Sequence, residues 1–240
     1  MGTRLKVCLG CCFAIALFSY LLMEKKYLFN ENSSEFLNEY VRKITFEFQK
    51  RIDKNVPKGS ILIFGDSLVQ GLAVTAISPK AINFGIGNDT SLDLLNRIPE
   101  YHSIKTADLI MIAIGINDIY KYSKEASISH IEEILSSIKS NYSGPIILNS
   151  LLPVDEATNK GLNQYNRKIQ TLNTEIESIA HSGNNILYLD SHKKMVDQSG
   201  NLHSNYHIGD GLHLNDKGNN QWIEIIKQFI QVYQKSQIIK

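Results

Sequence analysis

Cysteine is absent from most of this 240-residue chain, because Cys8, Cys11 and Cys12 are the only three and all lie in the first dozen positions. The rest of the sequence can form no internal disulfide, and it offers no thiol for catalysis or for binding zinc. The absence excludes a disulfide-stabilised small domain and a cysteine nucleophile, but it does not identify a compartment.

The chain also lacks an excess of charge of either sign, since 25 Lys and Arg stand against 24 Asp and Glu. Nucleic-acid-binding proteins usually carry a basic patch or tail, so we expect no nucleic-acid partner. With 43% hydrophobic residues, a chain of this length is able to bury one good core. Its oligomeric state cannot be predicted from these features.

A run without charge occupies residues 7–23. Its length is at the lower end of the roughly 17–25 residues that span a bilayer, and it exceeds the apolar core of a typical signal peptide. Bulky residues stand where a cleavage site needs small ones. We therefore expect residues 1–26 to be an uncleaved signal-anchor that contacts the membrane through 7–23. A cleaved signal peptide, giving a secreted protein, and a buried soluble helix are the alternatives.

The charges around this run bear on its orientation. Arg4 and Lys6 precede it, which favours a cytoplasmic N-terminus and an extracytoplasmic (periplasmic or extracellular) domain. Lys25 and Lys26 directly follow the run and weaken that orientation.

The remaining chain divides into a tether with a first helix, 27–58, and a larger domain, 59–240. In the first segment apolar residues recur at helical spacing: Phe36, Leu37, Tyr40, Val41, Ile44 and Phe48. In the second, short apolar runs predict strands at 61–64, 81–84, 109–114, 146–148 and 186–189. Helical periodicity between and after them predicts helices at 91–98, 127–139, 162–180 and 216–235. Such alternation predicts an α/β fold with a parallel sheet and helices on both faces.

Three polar segments directly follow the first three predicted strands. Ser67 follows the first, the segment 85–89 the second, and Asn117 the third. Because ligands of parallel α/β sheets bind at the carboxyl ends of the strands, we expect these segments to meet at one edge.

Ser67, Asp210 and His213 are a set of residues suited to acyl transfer. A serine hydroxyl needs a base to become a nucleophile, and a carboxylate three residues before a histidine is able to orient its ring. The alternative is that Asp66 or Ser67 only caps a helix and that Asp210 only forms a turn. The Gly-x-Ser-x-Gly elbow of α/β-hydrolases is absent, which argues against that arrangement.

Asn117 is a candidate donor to a developing oxyanion, because its side-chain amide carries two N–H groups. A helix cap after the strand is the alternative role.

A metal site is the rival hypothesis for the late histidines His203, His207 and His213 together with Asp210. These residues lack the helical register of a zinc motif, and a metal site would leave Ser67 unexplained. We therefore expect neither a metal nor an organic cofactor.

These motifs resemble those of the SGNH, or GDSL, hydrolase family. The similarity covers roughly residues 58–235, with the segments near Ser67 and at 83–90 most similar to catalytic subunits of platelet-activating-factor acetylhydrolase. The whole is similar to bacterial lysophospholipases and acyl-esterases. It runs in order through Gly65-Asp66-Ser67, the segment 83–90, Gly115-Ile116-Asn117-Asp118 and Asp210-Gly211-Leu212-His213.

The resemblance implies a three-layer α/β/α, flavodoxin-like sandwich with a parallel five-stranded sheet. It implies that Ser67 is the nucleophile, that His213 is the general base and then acid, and that Asp210 orients His213. The implied oxyanion hole consists of the backbone N–H groups of Ser67 and Asn88 and the side chain of Asn117. Asn88 stands where the family usually has glycine.

The expected function is a serine esterase that hydrolyses a small-molecule or lipid acyl ester, either a lysophospholipid or an O-acetyl or short-chain ester. One alternative is an O-acyltransferase that uses the same site on envelope glycans. Another is a catalytically idle relative that binds lipid or glycan. The resemblance implies that variable loops, here 69–80, 119–126 and 153–161, form the acyl pocket.

Overall fold

The structure, a computed structural model, describes residues 36–238. The described residues belong to two units, with the boundary between Ile44 and Thr45. Residues 36–53 form helix α1, and those from Thr45 onward belong to the second unit. The predicted signal-anchor over 1–26 lies outside the described residues. Within 36–238, none of the helices combines the length and the apolar character that crossing a membrane requires.

Five parallel strands form the sheet, in the spatial order β2-β1-β3-β4-β5. The predicted parallel five-stranded sheet is thereby confirmed, and the strand order is that of flavodoxin-like folds. Strands β1 and β4 are buried along their whole length, which explains why they are continuous apolar runs. The strands are β1 Ile61–Gly65, β2 Ala81–Gly85, β3 Leu109–Ala113, β4 Ile146–Asn149 and β5 Ile186–Leu189.

Helices connect successive strands. Helices α3, α4 and α5 lie in the three connections from β2 to β5, and they contact one another in that order. Right-handed connections in one direction along a sheet place their helices on one face, as these contacts require. The helices after α1 are α2 Ser67–Gln70, α3 Ser91–Arg97, α4 Lys124–Lys139, α5 Tyr165–Ser182, α6 His192–Met195 and α7 Asp216–Ile238.

Helix α1 buries polar side chains and exposes apolar ones. In the second unit, Phe48 and Ile52 are exposed, whereas Gln49 and Asp53 are buried. Asp53 accepts hydrogen bonds from the backbone N–H groups of His102 and Ser103. The polar face is tolerated in the interior because its groups are hydrogen-bonded.

Strand register positions the site. Gly65 at the end of β1 is paired with Gly85 of β2 and Ala113 of β3, so three strands end at the same level. The segments that follow them, which begin with Asp66, Ile86 and Ile114, therefore leave the sheet side by side. Between β1 and β3 the chain changes direction along the sheet, and such switch points are where this class of fold binds ligands.

Candidate active site

The turn after β1 fixes the position of Ser67. Asp66 caps α2 by accepting a hydrogen bond from the Leu68 N–H at 3.0 Å, and Ser67 is the first residue of the helix. A Cβ atom at Gly65 would lie 2.3 Å from the Ala113 carbonyl oxygen, so only glycine allows this close packing. The cap is thus formed by Asp66, and the half-buried Ser67 side chain is left for another contact.

That contact is with His213. Ser67 Oγ lies 3.0 Å from His213 Nε2, and His213 Nδ1 lies 2.6 Å from Asp210 Oδ2. The carboxylate accepts the proton of Nδ1, which leaves the lone pair of Nε2 directed at the serine hydroxyl. The structure brings these three predicted residues together although Ser67 and His213 are 146 positions apart.

The carboxyl group of Asp210 is held in its ionised form. Partial burial alone would raise its pKa, but hydrogen bonds from the Leu212 N–H and from the side chain and N–H of His213 outweigh that effect and lower it. The backbone donors lie at 3.0 and 2.9 Å from Asp210 Oδ1. Asp210 therefore remains an acceptor for the ring of His213 well below neutral pH.

A second histidine–aspartate pair supports the loop that carries Asp210. His207 Nε2 lies 3.1 Å from Asp155 Oδ2, and His207 Nδ1 accepts hydrogen bonds from the N–H groups of Gly209 and Gly211 at 3.0 and 3.2 Å. Both nitrogens of His207 are therefore engaged within the protein, which removes this residue from the rival metal hypothesis. In the described part of the chain, no group of three or more His, Cys, Asp or Glu side chains is placed to hold a metal ion.

The loop after β2 presents Asn88 with a positive φ of 63°, a conformation that asparagine tolerates better than most residues with a Cβ atom. Across residues 36–238, no protein group accepts a hydrogen bond from the N–H of Asn88 or of Ser67. Both donors are thus available to a bound oxyanion.

Asn117 is held at the neighbouring loop. Its Nδ2 donates to the Asp89 carbonyl oxygen at 2.9 Å, which uses one of the two amide hydrogens and leaves the other available. The adjacent Asp118 accepts a hydrogen bond from the Ser91 N–H at 2.8 Å and another from the Ser91 hydroxyl. These contacts join the loops after β2 and β3 into one unit.

Asp66 is a buried acid beneath the site. Burial raises the pKa of Asp66 to about 7, and the charges of Asp89 and Asp118 add to this effect, while the hydrogen bond from the Leu68 N–H opposes it. Near neutral pH a substantial fraction of Asp66 is therefore protonated in the folded chain.

The GDSL-like Lipase/Acylhydrolase family matches residues 63–221, which is more than half of the chain. The chain belongs to this family. The predicted resemblance is thereby confirmed, and the chain is a GDSL-type serine ester hydrolase. No curated protein matches it.

Solved structures show the same fold. A protein of Streptococcus pneumonia named for platelet activating factor is 25% identical, with a TM-score of 0.75 over 82% of this chain and 97% of its own. A Bacteroides fragilis protein named an acylhydrolase is also 25% identical, with a TM-score of 0.67 over 77% of this chain and 94% of its own. Axe2, an acetylxylan esterase from Geobacillus stearothermophilus, is 19% identical, with a TM-score of 0.58 over 72% and 94%.

Sequence reasoning missed the residues that support the loops of Asn88 and Asn117, the predicted oxyanion donors. Gln70 Oε1 accepts the Gly87 N–H at 2.8 Å, next to Asn88. Arg97 is buried and pairs with Asp89 at 2.7 Å. The available signal for the contact of Arg97 with Asp89 was that Arg97 lies on the apolar face of the predicted helix 91–98, eight residues after Asp89.

Proposed function

We propose that this GDSL hydrolase cleaves carboxylic esters through a covalent acyl intermediate on Ser67, with a lysophospholipid or an O-acetyl or short-chain ester as its substrate. The observation that carries the proposal is the continuous chain of hydrogen bonds from Ser67 through His213 to Asp210. Such an arrangement activates a serine that would otherwise be a weak nucleophile at neutral pH.

In the first half of the reaction, His213 Nε2 accepts the proton of the Ser67 hydroxyl as Oγ attacks the ester carbonyl carbon. The carbonyl oxygen becomes an oxyanion, which the N–H groups of Ser67 and Asn88 and the free amide hydrogen of Asn117 stabilise. The tetrahedral intermediate collapses, the ester C–O bond breaks, and the leaving alcohol takes the proton from His213. The acyl group remains on Ser67.

In the second half, His213 accepts a proton from water, whose oxygen attacks the acyl-serine carbonyl carbon. The same donors stabilise the second oxyanion. When the bond to Ser67 Oγ breaks, His213 returns the proton to the serine and the carboxylic acid leaves. Asp210 stays ionised throughout and stabilises the transient imidazolium.

The test is hydrolysis of p-nitrophenyl esters with acyl chains of about two to sixteen carbons by the full-length chain, with Ser67→Ala as the control. We expect activity that is lost in the variant, together with fluorophosphonate labelling of Ser67, and the chain-length optimum then distinguishes an acetyl or short-chain esterase from a lipid hydrolase. Hydrolysis that Ser67→Ala retains would refute the serine mechanism, and labelling elsewhere would refute the assignment of the nucleophile. Turnover that depends on an added sugar acceptor would identify a transferase.

We also propose that residues 7–23 anchor the chain in a membrane with the catalytic domain outside the cytoplasm. The support is the uncharged run itself and the exposed apolar side chains Phe36, Leu37, Tyr40 and Val41, which are typical of a helix at a membrane interface. Full-length chain should stay in the membrane fraction after an alkaline carbonate wash, and a chain without residues 1–26 should not. Release of the full-length chain by the wash would refute the anchor.

A further inference from the structure

Arg97 is buried beneath the active-site loops, where it contacts the loop after β2 and the ends of two strands. Its Nε lies 2.7 Å from Asp89 Oδ2, and its Nη2 donates to the carbonyl oxygens of Gly65 and Phe84 at 3.1 and 2.9 Å. Only 4% of the residue is exposed. A buried guanidinium is stable only when its donors are paired, so the contacts of Arg97 constrain the ends of both strands and the loop after β2.

Helix α1 completes this arrangement. The Tyr101 hydroxyl accepts from Arg97 Nη1 at 2.7 Å and donates to Gln49 Oε1 at 2.5 Å. Burial, the largest influence, raises the pKa of Tyr101 to about 12, so the hydroxyl keeps its proton. Gln49 Nε2 donates in turn to the Gly85 carbonyl oxygen at 2.8 Å. We call Gln49, Asp89, Arg97 and Tyr101 the Arg97 hub.

Each donor of the proposed oxyanion hole either lies within two residues of a group that the hub holds or is hydrogen-bonded to one. Ser67 is two residues after Gly65, whose carbonyl oxygen accepts from Arg97. Asn88 directly precedes Asp89, whose carboxylate pairs with Arg97. Asn117 donates to the backbone carbonyl of Asp89.

We propose that the Arg97 hub positions the oxyanion hole and that Gln49 makes helix α1 part of the catalytic apparatus. Gln49 lies before residues 63–221, the region that the family matches, so this support is not a feature that family membership supplies. The inference rests on the proposed roles of Ser67, Asn88 and Asn117. Gln49, Arg97 and Tyr101 are positioning residues, because they act through the loops and do not touch the reacting atoms.

The test compares wild type with Gln49→Leu and Tyr101→Phe in the full-length chain, using p-nitrophenyl acetate. Fluorophosphonate titration counts the competent sites, so that kcat refers only to folded enzyme. We expect each variant to lose about 10- to 100-fold in kcat and the same factor in kcat/KM, with KM nearly unchanged. Tyr101→Phe removes a single oxygen atom and keeps the ring, which makes it the milder variant.

Asp53→Asn is the matched control. Asp53 is a buried polar residue one turn further along α1, and its partners are the backbone N–H groups of His102 and Ser103 and the Ser103 hydroxyl. We expect a lower thermal midpoint with kcat per titrated site within about twofold of wild type, since a residue outside the hub should affect stability alone.

The outcomes separate this inference from the proposed function. If wild type shows no hydrolysis that depends on Ser67, the proposed function fails. If wild type is active and both hub variants keep kcat within twofold per titrated site, the hub inference alone is refuted. An equal loss of kcat in Asp53→Asn would also refute it, because the stability of α1 would then explain the effect.

Discussion

Replacing Asn117 by alanine isolates the contribution of one proposed oxyanion donor. The side chain donates one amide hydrogen to the Asp89 carbonyl oxygen at 2.9 Å and has a second hydrogen for the substrate. Alanine removes both but adds no bulk or charge. The change therefore affects the transition state and one intramolecular hydrogen bond, while Ser67, His213 and Asp210 keep their own contacts.

The two effects differ in size. Loss of an oxyanion donor costs about 2.7–4 kcal/mol of transition-state stabilisation, which is a factor of about 10²–10³ in kcat. Loss of one intramolecular hydrogen bond costs about 1 kcal/mol of folding stability, or about 2–4 °C in the thermal midpoint of a domain of this size. An enzyme that is well folded but very slow is thus the expected result for Asn117→Ala.

The assay is p-nitrophenyl acetate hydrolysis at saturating and at low substrate, paired with thermal unfolding monitored by circular dichroism. Asn141→Ala is the control, because Asn141 is an exposed amide whose side chain bonds only to neighbouring Ser140. A decrease of less than tenfold in kcat for Asn117→Ala would refute the assignment of Asn117 as an oxyanion donor. A decrease confined to KM would show that Asn117 binds substrate and transition state equally.

Three further predictions concern stability and the loop of His213. Burial raises the pKa of Asp66 from 3.8 to about 7, so the folded chain retains a proton that the unfolded chain releases, and stability falls as pH rises between these values. Asp66→Asn should therefore raise the free energy of unfolding more at about pH 8.5 than at about pH 4, and the two gains should differ by up to about 4 kcal/mol. Thermal unfolding at the two pH values measures this, and an equal rise of the thermal midpoint at both would contradict the prediction. Gly211 has a φ of 77° and a Cβ there would lie 2.6 Å from the Asp155 carbonyl oxygen, whereas Gly200, at 82°, has open space. Gly211→Ala and Gly200→Ala should each lose about 1–2 kcal/mol of folding stability, because alanine is strained in the left-handed conformation. Only Gly211→Ala should also lose activity, by at least tenfold, and equal activities in the two variants would refute the idea that the close packing of Gly211 matters for catalysis. His207→Ala should lower kcat, because His207 supports the loop that carries Asp210, while EDTA should leave wild-type activity unchanged. Inhibition by EDTA that zinc reverses would overturn this structural role of His207.

The strands were predictable because burial on both faces leaves a plain signal in the sequence. Ile61–Phe64 and Ile186–Leu189 are apolar runs bounded by polar or turn residues, and the structure places β1 and β5 there within one residue. The helix boundaries differ more from those predicted. The predicted helix over 127–139 begins at Lys124 in the structure, because Ser123 caps it by accepting a hydrogen bond from the Ala126 N–H.

The candidate site was predictable to the extent that its groups follow strands or share a short loop. Ser67 and Asn117 lie at the carboxyl ends of neighbouring strands, and Asp210 and His213 are three residues apart, so local spacing and sheet topology suffice to bring each pair together. The distance between Ser67 and His213 does not follow from spacing. It depends on where the last loop crosses the sheet, which the pairing of His207 with Asp155 helps to fix.

The contacts that support the proposed oxyanion hole could not be predicted from the sequence, because they join residues from distant parts of the chain. Gln49 lies in a helix that was predicted only from apolar residues at helical spacing, and the structure exposes two apolar residues, Phe48 and Ile52, and buries the Gln49 amide. A glutamine is buried only where specific partners meet both its donor and its acceptor, and here those partners, Gly85 and Tyr101, come from distant parts of the chain. The proposed oxyanion donors of this chain thus lie in short motifs, whereas on our proposal their rigidity depends on the buried charge of Arg97, which helix α1 helps to satisfy through Gln49 and Tyr101. Substitutions in α1 should therefore change the rate of this enzyme without touching any motif of its family.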